Sequence, residues 1–307
     1  MVIGTYIEHF AGKKVDDWNP EVGITNPETT LYRLSVAYGE DDITWSDRFA
    51  DFLNDSAVGA VTGLVAGMWI QDFGDANDSA RVVEAIAAAR EKLPRLTALF
   101  LGDITFEESE ISWIEQTDVS PLFEAYPALE HFRVRGGNNL RLGRLHSEHL
   151  KELGIESGGL DSSVVHDVLR SDLPALEHLE LWLGDANYGA NTTMEDLAPL
   201  FTGQLFPNLR YLGLRDSEIT NEIAQAIVQS PLLERLRVLD LSLGVLDDTG
   251  AAALLASPAV KKLEKLDIHH HYCSDQMVEQ LKALGIEVDA SDRQEEGEYG
   301  RYVAVSE

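Results

Sequence analysis

Cysteine is almost missing from this chain: among 307 residues Cys273 is the only one. A lone thiol excludes any intramolecular disulfide and any zinc site built on paired cysteines. Basic residues are also scarce, with 24 Lys and Arg against 53 Asp and Glu, for a formal charge of −29. A nucleic-acid backbone or an anionic membrane needs a basic patch, so neither is expected as a partner. There is no run of about 18 apolar residues to span a bilayer. The first ten residues lack the basic and then apolar blocks of a signal peptide, which gives a cytoplasmic expectation. Catalytic signatures are wanting too: G-x-S-x-G, G-x-x-x-x-G-K-[ST], H-E-x-x-H, C-x-x-C and G-x-G-x-x-G do not occur. The chain reads as a non-enzyme that needs no cofactor and no metal.

What the chain does contain is a repeat, and a period of 20 to 50 residues fixes an architecture at once. The form L-x-x-L-x-L appears at Leu96, Leu99, Leu101 and again at Leu176, Leu179, Leu181. It returns at Leu209, Leu212, Leu214, at Leu236, Leu239, Leu241 and at Leu263, Leu266, Ile268. Weaker copies start at Leu129 and Leu150, degenerate ones read Leu31, Leu34, Val36 and Val61, Leu64, Ala66, and Ile286 with Val288 is a partial last turn. Pro94, Pro127, Pro174 and Pro207 each stand two residues before a unit. A proline there fixes φ and lacks an N–H, which suits the mouth of a strand and stops the helix before it.

Between these segments the spacing turns helical. Residues 78–92, 220–229 and 247–257 each open on a capping residue and carry apolar side chains near a 3.6-residue period. Similar helices are expected near 45–54, 161–170, 193–202 and 274–284. A short strand with a helical return cannot bury its apolar side alone, so successive units must stack, and the right-handed crossover rule makes the strands parallel. The expected fold is α/β: a right-handed solenoid bent into an arc, with a parallel concave sheet and helices on the convex side. One domain is expected over 1–307, with an N-terminal cap at 1–28, repeats at 29–289 and a C-terminal cap at 290–307. Arg301 to Val305 alternates like a strand and is expected to pair antiparallel with 285–289.

On these residues the chain resembles the leucine-rich-repeat superfamily, and within it the ribonuclease-inhibitor-like type. The fullest match runs from Leu236 to Leu254, with Leu246, Gly250 and Leu254 where that type places its helix-entry leucine, its glycine and its helix core leucine. The pattern departs at the loop position usually held by Asn or Cys, which here is Ile104, Gly137, Gly158, Gly184, Ser217, Gly244 and His271. Glycine turns or water must then replace the usual side-chain ladder. The whole chain also looks like a group of bacterial leucine-rich-repeat proteins encoded beside radical-SAM and ATP-grasp-like proteins.

Two clusters carry possible chemistry. His269-His-His271-Tyr-Cys273 offers three imidazoles and a thiol, but the repeat register puts His269 on the concave face and His271 and Cys273 on the inward side. Such residues do not converge on one ion, and a loop-capping histidine and a core cysteine are the expectation. His146-Ser-Glu-His149 lacks the rest of a zincin pattern and reads as a polar turn. Acid pairs such as Asp247-Asp248 and Glu107-Glu108 begin helices, where they oppose the dipole.

The concave face is the better candidate. Side chains alternate along a strand, so the outward positions can be read off directly. They include Arg133, Arg135, His178, Glu180, Trp182, Tyr211, Arg215, Asp240, Asp267 and His269. Trp182, Tyr211 and Arg215 are residue types common in binding hot spots, and Glu180, Asp240 and Asp267 form an acidic stripe beside them. The loops at 102–118, with Trp113, and 184–193, with Tyr188, leave the repeat on one rim. The function expected is a non-catalytic scaffold binding a protein or peptide on its concave face. An accessory or recognition subunit for an enzyme that matures a peptide or small molecule is the alternative, and a metal-dependent hydrolase using His269 and His271 is a third.

Overall fold

The computed structural model describes residues 3–36, 43–70, 78–298 and 300–306. Its strands follow chain order across a single sheet: β1 (His9–Phe10), β2 (Lys13–Asp17), β3 (Thr30–Leu34), β4 (Gly63–Ala66), β5 (Ala98–Leu101), β6 (His131–Arg135), β7 (Glu152–Glu156), β8 (His178–Gly184), β9 (Tyr211–Ser217), β10 (Val238–Asp240), β11 (Lys265–Asp267) and β12 (Glu287–Asp289). Pairing is antiparallel between β1 and β2 and parallel from β2 onward. The helices are α1 (Trp45–Phe52), α2 (Ala80–Ala88), α3 (Ser120–Ala125), α4 (Ser162–Leu169), α5 (Met194–Phe201), α6 (Thr220–Ile227), α7 (Asp248–Ala256) and α8 (Asp275–Lys282). This is a leucine-rich-repeat solenoid, an arc with a parallel concave sheet and its helices on the convex side. Short α3 sits in a stretch where the hydrophobic period is too brief to announce a helix; Pro121 in its first turn supplies the fixed φ that starts it.

The core lies between sheet and helices. The leucines of successive units, such as Leu179, Leu212, Leu239 and Leu266, are fully buried in one column and face α4 to α8. Caps stop the helices from unravelling: Thr44 and Thr193 make reciprocal capping boxes with Asp47 and Asp196, and Asp161, Asp247 and Ser274 accept from first-turn amides. Loops meet backbone to backbone in place of an asparagine ladder. The Asp185 amide donates to Gly158 O at 2.8 Å, and a Cβ on Gly184, at φ +78°, would lie 2.1 Å from that same oxygen. Only glycine allows the approach. Further along, the His271 Nδ1 accepts the Cys273 amide at 3.0 Å, so the ring caps its loop, while Cys273 is buried in the core.

Two expectations change. In the first unit the register slips by two residues. Tyr32 pairs beside Leu64 and Arg33 beside Val65, so Leu31 faces the concave side and Tyr32, Leu34 and Val36 fill the core positions. Leu31 there joins Phe10, Val15, Val65, Ala98 and Phe100 in a second apolar cluster. The Phe10 ring lies 5.9 Å from Phe100 and 6.3 Å from His131, so the β1–β2 hairpin folds back over the concave face as far as β6. Trp18, by contrast, packs edge-on against Phe52 in the main core, 5.5 Å away.

The C-terminal segment also differs from its expected antiparallel pairing with 285–289. Residues 301–306 form no strand and cross the rim of the solenoid toward earlier repeats. Tyr302 bonds Tyr272, the Ala304 amide donates to Leu243 O at 2.8 Å and the Val305 amide to Asp216 Oδ1 at 2.9 Å. Val303 and Val305 are both buried. The Leu243 carbonyl and the Asp216 carboxyl accept the amides of this segment and Val305 packs into the main core, whereas β12 is short and half exposed.

Candidate binding face

Strand register arranges the concave side chains in three rows. The first runs His131, Glu152, His178, Tyr211, Val238, Lys265 across β6 to β11. The second runs Arg133, Gly154, Glu180, Gly213, Asp240, Asp267, Asp289. In the third, Arg135 lies beside Glu156 and Trp182 beside Arg215.

Glu180 is the hub of the second row. Its carboxylate lies 3.0 Å from Arg215, 3.4 Å from Arg133 and 3.5 Å from His178, and it accepts the Trp182 indole N–H at 2.8 Å. Arg133 also pairs with Glu156 at 2.7 Å and Glu152 at 3.2 Å, and Arg135 pairs with Glu156 at 2.7 Å. The two glycines of the row make this possible. A Cβ on Gly154 would sit 3.1 Å from the Arg133 guanidinium, and one on Gly213 would sit 3.2 Å from Glu180 Cγ and 3.4 Å from Arg215 Cδ. Without side chains there, the arginines lie flat and reach carboxylates on neighbouring strands.

Burial strengthens each attraction and penalises each charge left unpaired. At Glu180 burial pushes the pKa up, but the charges of Arg133 and Arg215 and the bond from His178 outweigh it and hold the group well below the carboxylate range. The same contest at Glu152, won by His131 and Arg133, leaves its pKa at about 2. Tyr211 is pushed up by burial and by the carboxylates of Glu180 and Asp240, to the latter of which it donates at 2.6 Å. Glu152, Glu156 and Glu180 thus form a lattice of ionised partners with these cations, whereas at buried Asp103 desolvation outweighs Arg135 and Arg33 and raises the carboxyl above its ordinary range.

Ten residues were singled out from the sequence, and they fall into two layers. Arg135, Glu180, Trp182, Asp240 and Asp267 are buried, with Trp182 only 3% exposed beneath the Arg215 guanidinium, 5.0 Å from its ring. Arg133, His178, Tyr211, Arg215 and His269 are half-buried and reach the surface. The His178 and Tyr211 rings stack with centroids 3.7 Å apart. His269 turns to Asp267, Nδ1 to Oδ1 at 2.7 Å, and stands apart from His271, which bonds Ala290 O from the core side. His146 pairs with Asp172 on an exposed turn. On the rim, Ile111 and Ile114 are buried while Trp113 between them is 61% exposed.

Sequence reasoning placed Glu152 and Glu156 on the concave face without choosing them for the site, and it missed Arg33 and Asp103. Glu152 and Glu156 were visible as outward positions of a strand whose neighbour carries two arginines. Arg33, 2.7 Å from buried Asp103, was hidden by the slipped register of the first unit.

Against solved structures, a Bacteroides fragilis protein aligns at a TM-score of 0.80 with 38% identity, covering 86% of this chain and 74% of that one. The chain belongs to the family of this Bacteroides protein. A Listeria monocytogenes internalin aligns at a TM-score of 0.39, with 12% identity over 87% of this chain and 74% of that one. The APL1 leucine-rich repeat domain aligns at 0.29, with 15% identity over 80% of this chain and 63% of its own. No protein-family model and no curated protein matches the chain. No helix among the described residues is long and apolar enough to cross a membrane.

Proposed function

We propose that the chain is a non-catalytic, cytoplasmic interaction scaffold that binds a protein or peptide on its concave face. The observation that carries this reading is the layering of that face. A charge-satisfied buried layer fixes a half-exposed strip above it: His131, Glu152, His178, Tyr211, Val238 and Lys265, one residue from each of six consecutive strands. Such a strip is pre-organised, so a partner meets side chains whose ordering cost is already met in the fold. Of the ten residues, Arg133, His178, Tyr211, Arg215 and His269 make direct contact in this reading, and the five buried ones hold them in place.

The partner is neither nucleic acid nor membrane, in keeping with a charge of −29. Residues 1–307 act as one solenoid domain, with 1–28 and 290–307 as its caps; Met1, Val2, Tyr299 and Glu307 of these lie outside the described residues. The repeats are of the ribonuclease-inhibitor-like type, a reading supported by the burial of Leu246, Gly250 and Leu254 around α7. A photo-reactive residue placed at Val238 tests the proposal, with one at exposed Glu222 on α6 as control. A discrete adduct in host extract is expected from position 238, lost when Tyr211→Ala is added. Adducts of equal yield from both positions, or none from 238, would refute it.

A further inference from the structure

Along the second concave row each carboxylate has a cation until the row nears its end. Glu180 has Arg133 and Arg215, and Asp240 has Arg215 at 3.4 Å. Asp267 has Lys265, whose ammonium lies 2.9 Å from Oδ2. The next residue, Asp289, accepts from the Ser291 amide at 3.1 Å and hydroxyl at 2.7 Å, and it has no ion-pair partner among the described residues. No arginine stands in β11 or β12 to fill the role taken elsewhere by Arg133 and Arg215. Lys265, also 3.9 Å from Glu287, thus faces three carboxylates, those of Asp267, Glu287 and Asp289, so the local charge is 1 − 3 = −2.

His269 stands at the same end of the sheet. One donor atom from each of Asp267, His269 and Asp289 lies within 4.8 Å of the other two. We propose that these three residues form a binding site for one divalent transition-metal ion at the C-terminal end of the concave sheet. An imidazole with two carboxylates suits zinc or manganese better than magnesium or calcium, which prefer all-oxygen shells. The His269 Nδ1 already faces Asp267 Oδ1 at 2.7 Å, so the ion takes the place of the proton between them and Nε2 keeps its N–H. Asp289 and His269 are half-buried, so rotations about their side-chain bonds bring the donors toward metal–ligand distances of about 2.0–2.2 Å. The ion supplies the two positive charges that guanidinium groups supply farther along the row, and Lys265 remains on the outer oxygens.

Titration calorimetry of the chelator-stripped full chain with zinc chloride tests this, with magnesium chloride as the control. One equivalent of zinc is expected to bind with a Kd of about 10 µM or tighter, weakened at least about tenfold by Asp289→Asn and by His269→Gln. His146→Ala, which alters the other exposed histidine cluster, should bind as the parent chain does. The proposal falls if zinc does not saturate, if both variants bind unchanged, or if only His146→Ala loses the ion. Circular dichroism checks each variant; were Asp289→Asn to unfold, His269→Gln, at a half-buried position, decides alone.

Discussion

Glu180 on β8 and Arg215 on β9 meet at 3.0 Å with the indole of Trp182 closed beneath them, which makes the ion pair part of the interior although both residues belong to the concave face. An exposed pair of this length is worth little, because water and salt screen it. Here Glu180 is buried and has no water to turn to when the pair separates, so the pair's value lies in satisfying that carboxylate.

Removing the hub should therefore cost far more than removing a surface carboxylate. Glu180→Ala leaves Arg215 only the longer contact with Asp240, takes one of three carboxylates from Arg133 and leaves the Trp182 N–H without an acceptor. A loss of roughly 3–5 kcal/mol is expected in urea unfolding. Glu264→Ala, which breaks only the exposed pair with Arg237, should lose less than about 1 kcal/mol. Equal losses would mean that the lattice is no more than surface decoration.

The lattice also sets the response to acid. The ordinary pKa of Glu152 is 4.5 and its folded value is about 2. A folded pKa below the unfolded one gives stability that is complete above the unfolded value and disappears as pH falls through the folded one. Glu156 and Glu180 are shifted in the same direction, each against an opposing push from burial. The part of the urea midpoint that Glu152 supplies, read as the parent minus Glu152→Gln, should hold down to about pH 5 and shrink below it.

The repeat was legible because its leucines occupy positions that no other arrangement would space so regularly, and the seven helices read from capping residues and period are present as α1, α2 and α4 to α8. Besides the path of residues 301–306, two features escaped. The register at Leu31 was ambiguous, because Leu31 and Leu34 both look inward until the β1–β2 hairpin is known to supply an apolar cover on the concave side. The concave residues were placed on the correct face, yet whether they were open depended on Arg133 and Arg215 lying flat across Gly154 and Gly213. That is a contact between strands far apart in sequence, and no single strand's pattern contains it.

Cys273 offers a clean probe of the core. Burial, with the nearby charges of Asp248 and Asp247 adding to it, pushes the thiol up to about 12. It stays protonated at neutral pH, and its sulfur is enclosed by the loop that His271 caps. Ellman's reagent should leave the native chain unlabelled over hours at pH 8 and should label one thiol promptly in denaturant. Prompt labelling of the folded chain would mean that the last repeats open readily.

The strap formed by residues 301–306 rests on a carboxyl group that is costly to charge. Asp216 is fully buried at φ +50°, it accepts the Val305 amide through Oδ1, and its Oδ2 has no partner. Burial raises its pKa well above the ordinary 3.8, more than the amides of Val305 and Ala304 and the charge of Arg215 can offset, while Asp185 adds to the rise. The sign is thus opposite to that of Glu152. The folded state holds the proton more tightly, so stability from this group is greatest in acid and declines as pH rises above 3.8 through the folded value. Asp216→Asn keeps an acceptor for Val305 and tolerates the left-handed backbone, but carries no charge to bury. The variant should match the parent chain near pH 4 and exceed it at pH 8 by about 1 kcal/mol or more. Its Val305 amide should exchange more slowly at pH 8 than that of the parent, since the strap would no longer be loosened by an ionising group. A variant less stable than the parent at pH 8 would show that the carboxylate is ionised and held there by contacts stronger than those around it.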